Sequence, residues 1–85
     1  MNVTILYFAA LRERIGMGRE QCALPAQVTT VGALKAWLIA RGAPWSEALA
    51  ETPRVRAAVD QAMAVSDTAL HEGAEVAFFP PVTGG

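Results

Sequence analysis

Cysteine and histidine are almost missing from this 85-residue sequence, which has one of each, Cys22 and His71. A single cysteine excludes an internal disulfide and a cysteine-based metal cluster. One cysteine and one histidine also give little support to a zinc site or a nucleophilic dyad. Cys22 lies between Gln21 and Ala23, and Arg19 is the only cation close to it in sequence that could lower its pKa. We therefore predict that Cys22 packs as a small apolar strand residue and that His71 lies on the surface.

Positive charge is also sparse, because the seven basic residues are scattered and include one lysine, Lys35. The formal net charge is -1, whereas nucleic-acid binding rewards clustered Lys and Arg. No apolar run approaches the ~20 residues needed to span a bilayer. The first residues, Met1 to Thr4, lack the basic region and cleavage site of a signal peptide. We therefore expect a cytoplasmic protein that binds neither nucleic acid nor membranes.

Apolar residues are abundant, at 53% of a chain that is long enough for one domain. Area scaling predicts that a chain of this size buries roughly 60–65% of its unfolded surface. The apolar excess therefore implies a compact, Ala-rich core or apolar surface reserved for a partner. We expect both.

The first third of the sequence alternates strand and helix signals. Residues 3–8 are rich in β-branched and aromatic side chains and predict a strand. A short helix is predicted over 9–15, ended by Gly16 and Gly18 in left-handed conformations, and a short strand over 20–24. The first strand is apolar on both faces, so something must cover its second face. One face has Val3, Ile5 and Tyr7, and the other has Thr4, Leu6 and Phe8.

The rest of the sequence predicts one long amphipathic helix followed by strands. Thr29 or Thr30 offers its N-cap, and Gly42 and Pro44 end it. Residues 46–51 add a further turn or two. Strands are predicted over 54–60 and 62–66, with a tight turn at Asp60-Gln61, and over 75–79 after a turn at 71–73. The apolar helix face consists of Val31, Leu34, Trp37, Leu38 and the stem of Arg41.

A mixed sheet with the long helix packed on it, and with the first and last strands adjacent at its centre, would bury this pattern. The predicted fold class is therefore α+β, a β-grasp or ubiquitin-like arrangement. Residues 1–79 form the predicted domain, and residues 80–85 form an extended C-terminal tail.

The tail carries the chemical signal of the sequence. Pro80 and Pro81 stop the last strand and favour a stiff extended conformation. The six residues 80–85 reach at most roughly 20 Å, enough to enter a partner's buried active site. Gly84 and Gly85 place no side-chain atoms near the terminal carboxylate, so this end can pass a channel too narrow for a Cβ. The alternative is an ordinary frayed terminus.

Along essentially its whole length the sequence resembles the small subunit of molybdopterin synthase, the MoaD family. The most specific similarity is the block at 75–85. The remaining matches are Leu6-Tyr7-Phe8-Ala9, Arg12-Glu13, Gly16, Thr30-Val31, Ala57-Ala58-Val59, Gln61 and Gly73. The family often has an acidic residue at Ala74 and Asn at Asp60, and neither difference affects the tail.

The resemblance implies a sulfur carrier without a side-chain active site or bound cofactor of its own. An enzyme similar to ubiquitin E1 would use ATP to adenylate Gly85, and a persulfide donor would convert it to a thiocarboxylate. The tail would then insert into the large synthase subunit, in a heterotetramer, and donate sulfur to cyclic pyranopterin monophosphate. Pro80, Pro81, Val82, Thr83 and Gly84 would enter the partner together with Gly85.

The resemblance also implies that Phe8, Met63 and Phe79 form an apolar partner-facing patch beside the tail. The alternative is that all three are core residues, and Met63 is the weakest member because Met also fills gaps in cores.

Other functions share parts of this pattern. A thiazole-type sulfur carrier would have the same fold and end, but such carriers generally lack the Phe-Phe-Pro-Pro-Val-Thr block. A ubiquitin-like modifier would share the activation step and form amide links to lysines. A plain binding module would use a sheet edge and keep its function without Gly85.

Overall fold

The computed structural model describes residues 1–81 of the chain. Within them a five-stranded mixed sheet is packed against three helices. The elements in chain order are β1 (Asn2–Tyr7), α1 (Ala9–Ile15), β2 (Arg19–Ala23), α2 (Val31–Ala40), α3 (Trp45–Glu51), β3 (Arg56–Val59), β4 (Ala62–Ala64) and β5 (Glu75–Phe79).

The strand order is β2-β1-β5-β3-β4, so the first and last strands lie side by side at the centre of the sheet. β1 and β5 run parallel, and the other neighbouring pairs are antiparallel. The predicted α+β fold class and β-grasp arrangement are therefore confirmed. The expectation of one long helix is incomplete, because α1 and α3 also pack on the sheet side that α2 covers.

The helix ends follow local backbone chemistry. Thr30 is the N-cap of α2, and its Oγ1 accepts a hydrogen bond from the Ala33 N–H at 3.2 Å. Gly16 ends α1 in the left-handed region at φ 86°, as predicted. The same prediction for Gly18 is wrong, because its φ is not positive. An added Cβ at Gly18 would lie 2.9 Å from the Arg12 Nε, which is the far end of a flexible, exposed side chain that can move aside.

The hairpin between β3 and β4 is shorter than the sequence predicted. Arg54 has φ 54°, which keeps it out of the strand, and β3 begins at Arg56. Asp60 and Gln61 have φ 50° and 70°, the left-handed pair of a type I′ turn, so the predicted tight turn is confirmed. β4 ends at Ala64 because Val65 and Thr68 bond to each other in a turn.

Small shifts occur at the other boundaries. β1 and β2 both begin and end one residue earlier than predicted, and α3 begins at Trp45. Phe8 leaves the first strand because its carbonyl accepts the N–H groups of Leu11 and Arg12 and thereby starts α1.

The core lies between the helices and one face of the sheet. Alanine contributes to it through Ala48, Ala57 and Ala74, as the composition implied. Tyr7 and Phe78, register partners at the sheet centre, stack with ring centroids 6.5 Å apart. The largest fully buried side chains are Tyr7, Phe78, Ile5, Leu11, Leu34, Leu38, Leu49 and Val76. Among the helices of residues 1–81, none is long and apolar enough to cross a membrane.

Candidate functional site

The sheet has one covered face and one open face. Strand side chains alternate between the two faces, and burial follows this period in β1 and β5. Val3, Ile5 and Tyr7 point to the helices and are buried. Thr4 and Leu6 point the other way and are partly exposed. The sequence predicted that something covers the second face of β1. Within residues 1–81, no element covers that face.

Apolar side chains form a band across the open face. One row crosses four strands, because Leu6 pairs with Ala77, Ala77 with Ala58, and Ala58 with Met63. Met63, on the edge strand β4, is 59% exposed. The next row toward the end of β5 contains Phe79 and Phe8. We call these six residues the open-face band: Leu6, Phe8, Ala58, Met63, Ala77 and Phe79.

The band ends where the tail begins. The Phe8 N–H donates to the Phe78 carbonyl at 3.1 Å, which fixes the start of α1 against the last residues of β5. The Phe8 side chain is 46% exposed, and Phe79 is partly buried. Pro80 and Pro81 follow directly outside the strand and are partly buried. The tail therefore leaves from a strand that is paired on both sides.

Several predicted site residues cannot be placed. Val82, Thr83, Gly84 and Gly85 lie outside the described residues, and their roles stay predictions. The division into a domain at 1–79 and a tail at 80–85 stays a prediction as well, although β5 does end at Phe79.

Core packing, the alternative for the three patch residues, is wrong for Phe8 and Met63, which are exposed. Phe79 is partly buried and does not belong to the core cluster. Their role in binding stays a prediction.

The opposite end of the open face is polar. Thr4 pairs with Glu75 on β5 and with Gln21 on β2. Asp60 bonds to Glu75 in both directions, through its backbone N–H at 2.8 Å and its Oδ1 at 3.0 Å. The apolar surface is thus confined to the half of the sheet that carries the tail.

On the helix side, the partly buried carboxylate of Glu20 joins three elements. Its Oε2 accepts the Tyr7 hydroxyl at 2.6 Å and the Trp45 Nε1–H at 3.1 Å. Its Oε1 accepts the Arg41 Nη2–H at 3.1 Å. The Arg41 guanidinium also lies over the Trp45 ring, 3.8 Å from the centroid. Burial alone would raise the pKa of Glu20, but the bonds from Tyr7 and Arg41 outweigh it and lower that pKa.

Cys22 is buried beside this cluster, which confirms its predicted packing. Arg19 is not its only nearby cation, since Arg41 Nη1 lies 3.9 Å from the Cys22 sulfur. Burial, and then the charge of Glu20, nevertheless raise the pKa of Cys22 to about 11. The thiol is therefore protonated at neutral pH and suited to packing, not to nucleophilic attack.

His71 lies exposed in its predicted turn, where it pairs with Asp60. Within residues 1–81, no three His, Cys, Asp or Glu side chains are grouped as metal ligands.

Sequence reasoning did not find Ala77, which is partly exposed, or Ala58, which is buried, as members of the open-face band. Their alternation was readable, but which residues meet across strands depends on the pairing order of β1, β5, β3 and β4.

The fold and its open apolar face define a β-grasp domain of the ubiquitin-like class. The ThiS family matches residues 5–85, and the chain belongs to this family. One similar protein is the molybdopterin synthase sulfur carrier subunit of Escherichia coli K12, 42% identical over 83 residues. Another is the molybdopterin synthase sulfur carrier subunit of Haemophilus influenzae Rd, at 37% identity. Each match covers 98% of this chain and 99% of the relative.

Solved structures share the fold. SAMP1 from Haloferax volcanii has a TM-score of 0.77 at 23% identity, covering 100% of both chains. A putative molybdopterin converting factor subunit 1 from Pyrococcus furiosus has a TM-score of 0.71 at 23% identity, covering 96% of this chain and 99% of the other.

Proposed function

We propose that this chain is the sulfur carrier of a molybdopterin synthase and that the C-terminal carboxylate of Gly85 is the group that carries sulfur. The full-length similarity to two proteins named molybdopterin synthase sulfur carrier subunits carries this proposal. The Gly84-Gly85 end provides a carboxylate with no adjacent side chain, as a narrow channel requires.

The chemistry needs activation, because a free carboxylate is a poor electrophile. A carboxylate oxygen of Gly85 attacks the α-phosphorus of ATP on an E1-like enzyme and releases pyrophosphate. A persulfide sulfur then displaces AMP from the acyl adenylate. A thiol cleaves the resulting acyl disulfide and leaves a thiocarboxylate, so ATP and the persulfide donor act on this chain without being bound cofactors of it.

The fold supplies a rigid base for the tail. β5 is paired with β1 as far as Phe78 and with β3 as far as Phe79, so two neighbouring strands hold the strand from which the tail leaves. Pro80 and Pro81 stiffen the next two residues. Together with Val82 to Gly85 they span at most roughly 20 Å, which is long enough to bring the terminal group into a partner while the domain stays outside.

The open-face band is the docking surface in this proposal. It is apolar, adjoins the tail and contains two exposed large side chains, Phe8 and Met63. The partner is the large catalytic subunit, two copies of each chain forming a heterotetramer. The thiocarboxylate sulfur there attacks cyclic pyranopterin monophosphate, and two loaded carriers supply the two sulfurs of one dithiolene.

Deleting Gly85 tests the proposal. The variant is combined with the activating enzyme, a persulfide donor and the large subunit, and molybdopterin formation is measured. We expect wild-type folding and docking but no product, because the chain then ends one residue short. Glu47→Ala, an exposed change on α3, is the matched control and should give full activity. Normal product formation by the Gly85 deletion would contradict the proposal.

A further inference from the structure

Two arginines adjoin the open-face band, on the two strands that lie either side of the central β1-β5 pair. Arg19 on β2 pairs with Leu6, and Arg56 on β3 pairs with Phe79. Both are exposed, and strand alternation places both on the open face. Each of the two arginines therefore has an apolar member of the band as its cross-strand neighbour.

Neither arginine has a salt-bridge partner within residues 1–81, where the ion pairs use Arg14, Arg41 and His71. In solution this costs nothing, because water solvates the charge. A partner that covers Phe79 also covers its cross-strand neighbour Arg56, however. Burying an unpaired guanidinium is strongly unfavourable, so an apolar partner surface at that point would bind poorly.

The positions of the two arginines relate to the tail. β2 and β3 are separated by β1 and β5, three strand spacings, or roughly 14 Å at about 4.8 Å each. The tail leaves from β5, which lies between them. At the polar end of the open face, on the side away from the tail, the Asp60 carboxylate accepts the Glu75 N–H, and the backbone carbonyl of Glu75 accepts the Asp60 N–H.

We propose that the surface which receives this tail carries carboxylates opposite Arg56 and Arg19, one on each side of the channel mouth. This inference rests on the proposed docking of the band to the synthase large subunit. The occupant is an acidic-rimmed, apolar protein surface. Arg56 is the stronger contact because it lies beside Phe79 at the root of the tail.

The test compares truncation with charge reversal. Binding of the large subunit from the same organism is measured by calorimetry for wild type, Arg56→Leu, Arg56→Glu and Arg19→Leu. Arg14→Leu and Arg14→Glu are the controls, since Arg14 is exposed on α1, across the sheet from the band, and pairs with Glu51. Urea unfolding of every variant checks that the domain is intact.

We expect Arg56→Leu to weaken binding about 30-fold or more, because it leaves a partner carboxylate buried without its cation. Arg56→Glu should weaken binding further, and Arg19→Leu should do so less. The affinity of the wild type should fall with added salt, and this dependence should be weaker in Arg56→Glu but unchanged in Arg14→Glu. Equal or tighter binding by Arg56→Leu would overturn the inference, because an apolar partner surface would then face this position.

Two further outcomes distinguish failure of this inference from failure of the proposed function. A wild-type chain that binds and delivers sulfur, with Arg56→Leu equal to it, refutes the acidic rim and leaves the proposed function standing. A wild-type chain that neither binds the large subunit nor delivers sulfur refutes both. Concentration-dependent self-association by ultracentrifugation that Arg56→Glu abolishes would mean that a second copy covers the band, and would also overturn the inference.

Discussion

At the residue scale, Glu20 shows how this small domain holds its helices in place. Its side chain accepts hydrogen bonds from Tyr7 in β1, Arg41 after α2 and Trp45 in α3. Each donor would lose its partner if the carboxylate were removed. Within residues 1–81 no buried side-chain polar atom lacks a partner, so this cluster is fully satisfied.

Glu20→Ala should therefore lower the free energy of unfolding by about 2–4 kcal/mol, measured by urea titration at neutral pH. The folded-state pKa of Glu20 lies below its ordinary value of 4.5. Its stabilisation is thus present above pH 4.5 and is lost as the pH falls through the lowered pKa. The gap between wild type and variant should narrow below that point. Equal stability of the two proteins at neutral pH would contradict this role.

Phe79 is the residue whose truncation tests docking most cleanly. Phe79→Ala should weaken binding of the large subunit by about 1–3 kcal/mol. Because Phe79 lies outside the core cluster, a cooperative unfolding transition should remain. Calorimetric binding and urea unfolding measure the two effects separately, with Glu47→Ala as the control. Loss of cooperative unfolding in Phe79→Ala would mean that the side chain is core after all.

At the element scale, the turn after β3 is tied to the start of β5. Asp60 accepts the Glu75 N–H, and the imidazole of His71 donates to its other carboxylate oxygen. The Glu75 N–H and then His71 lower the pKa of Asp60. The bonds to Asp60 and to the Glu72 carbonyl raise the pKa of His71.

This pair should give the domain a small pH dependence of stability. The Asp60 contribution is present above its ordinary pKa of 3.8 and is lost as the pH falls through the lowered value. The His71 contribution is present below its ordinary pKa of 6.5 and is lost as the pH rises through the raised value.

His71→Gln should therefore lower the urea midpoint at about pH 5.5 but barely change it at about pH 8.5. Urea titrations of both proteins at the two pH values check this, and Asp60→Asn should remove most of the same difference. A His71→Gln effect of equal size at both pH values would contradict the ion pair.

Local sequence signals predicted which helices and strands form better than they predicted where each one begins and ends. Gly16, Thr30 and the Asp60-Gln61 turn have backbone requirements that follow from residue type, and the structure confirms them. The early end of β4 depends on the bond from Val65 to Thr68. Such side-chain bonds follow from how the turn folds, so periodicity does not reveal them.

The open-face band was predicted only in part, because its membership also depends on how the chain folds. Alternation along β1 and β5 indicated that Leu6 lies on the sheet face opposite Tyr7 and that Phe79 lies on the face opposite Phe78. The position of Arg56 beside Phe79, and the Glu20 cluster, required the pairing of distant segments. Composition could not supply that information.

At the scale of the whole molecule, the two faces of the sheet differ. The helices protect one sheet face, and the other face is apolar only at the end that bears the tail. An exposed apolar surface next to a stiff, glycine-terminated end suits a protein that binds partners in turn and carries a group between them. In the proposed function, the side chains of the domain provide binding and orientation, and the reacting atoms are those of Gly85.

The most direct test of this account is the chemical state of Gly85 after activation. The purified chain is incubated with ATP, its activating enzyme and a persulfide donor, and its C-terminal peptide is mapped by mass spectrometry. Replacing oxygen by sulfur adds almost the mass of a methionine oxidation, and the chain has three Met residues. The shift must therefore be localised to the tail and must react with a thiol alkylator. The account predicts a thiocarboxylate on Gly85. An unmodified tail, or lysine-linked adducts in its place, obtained with an activating enzyme of demonstrated activity, would contradict it.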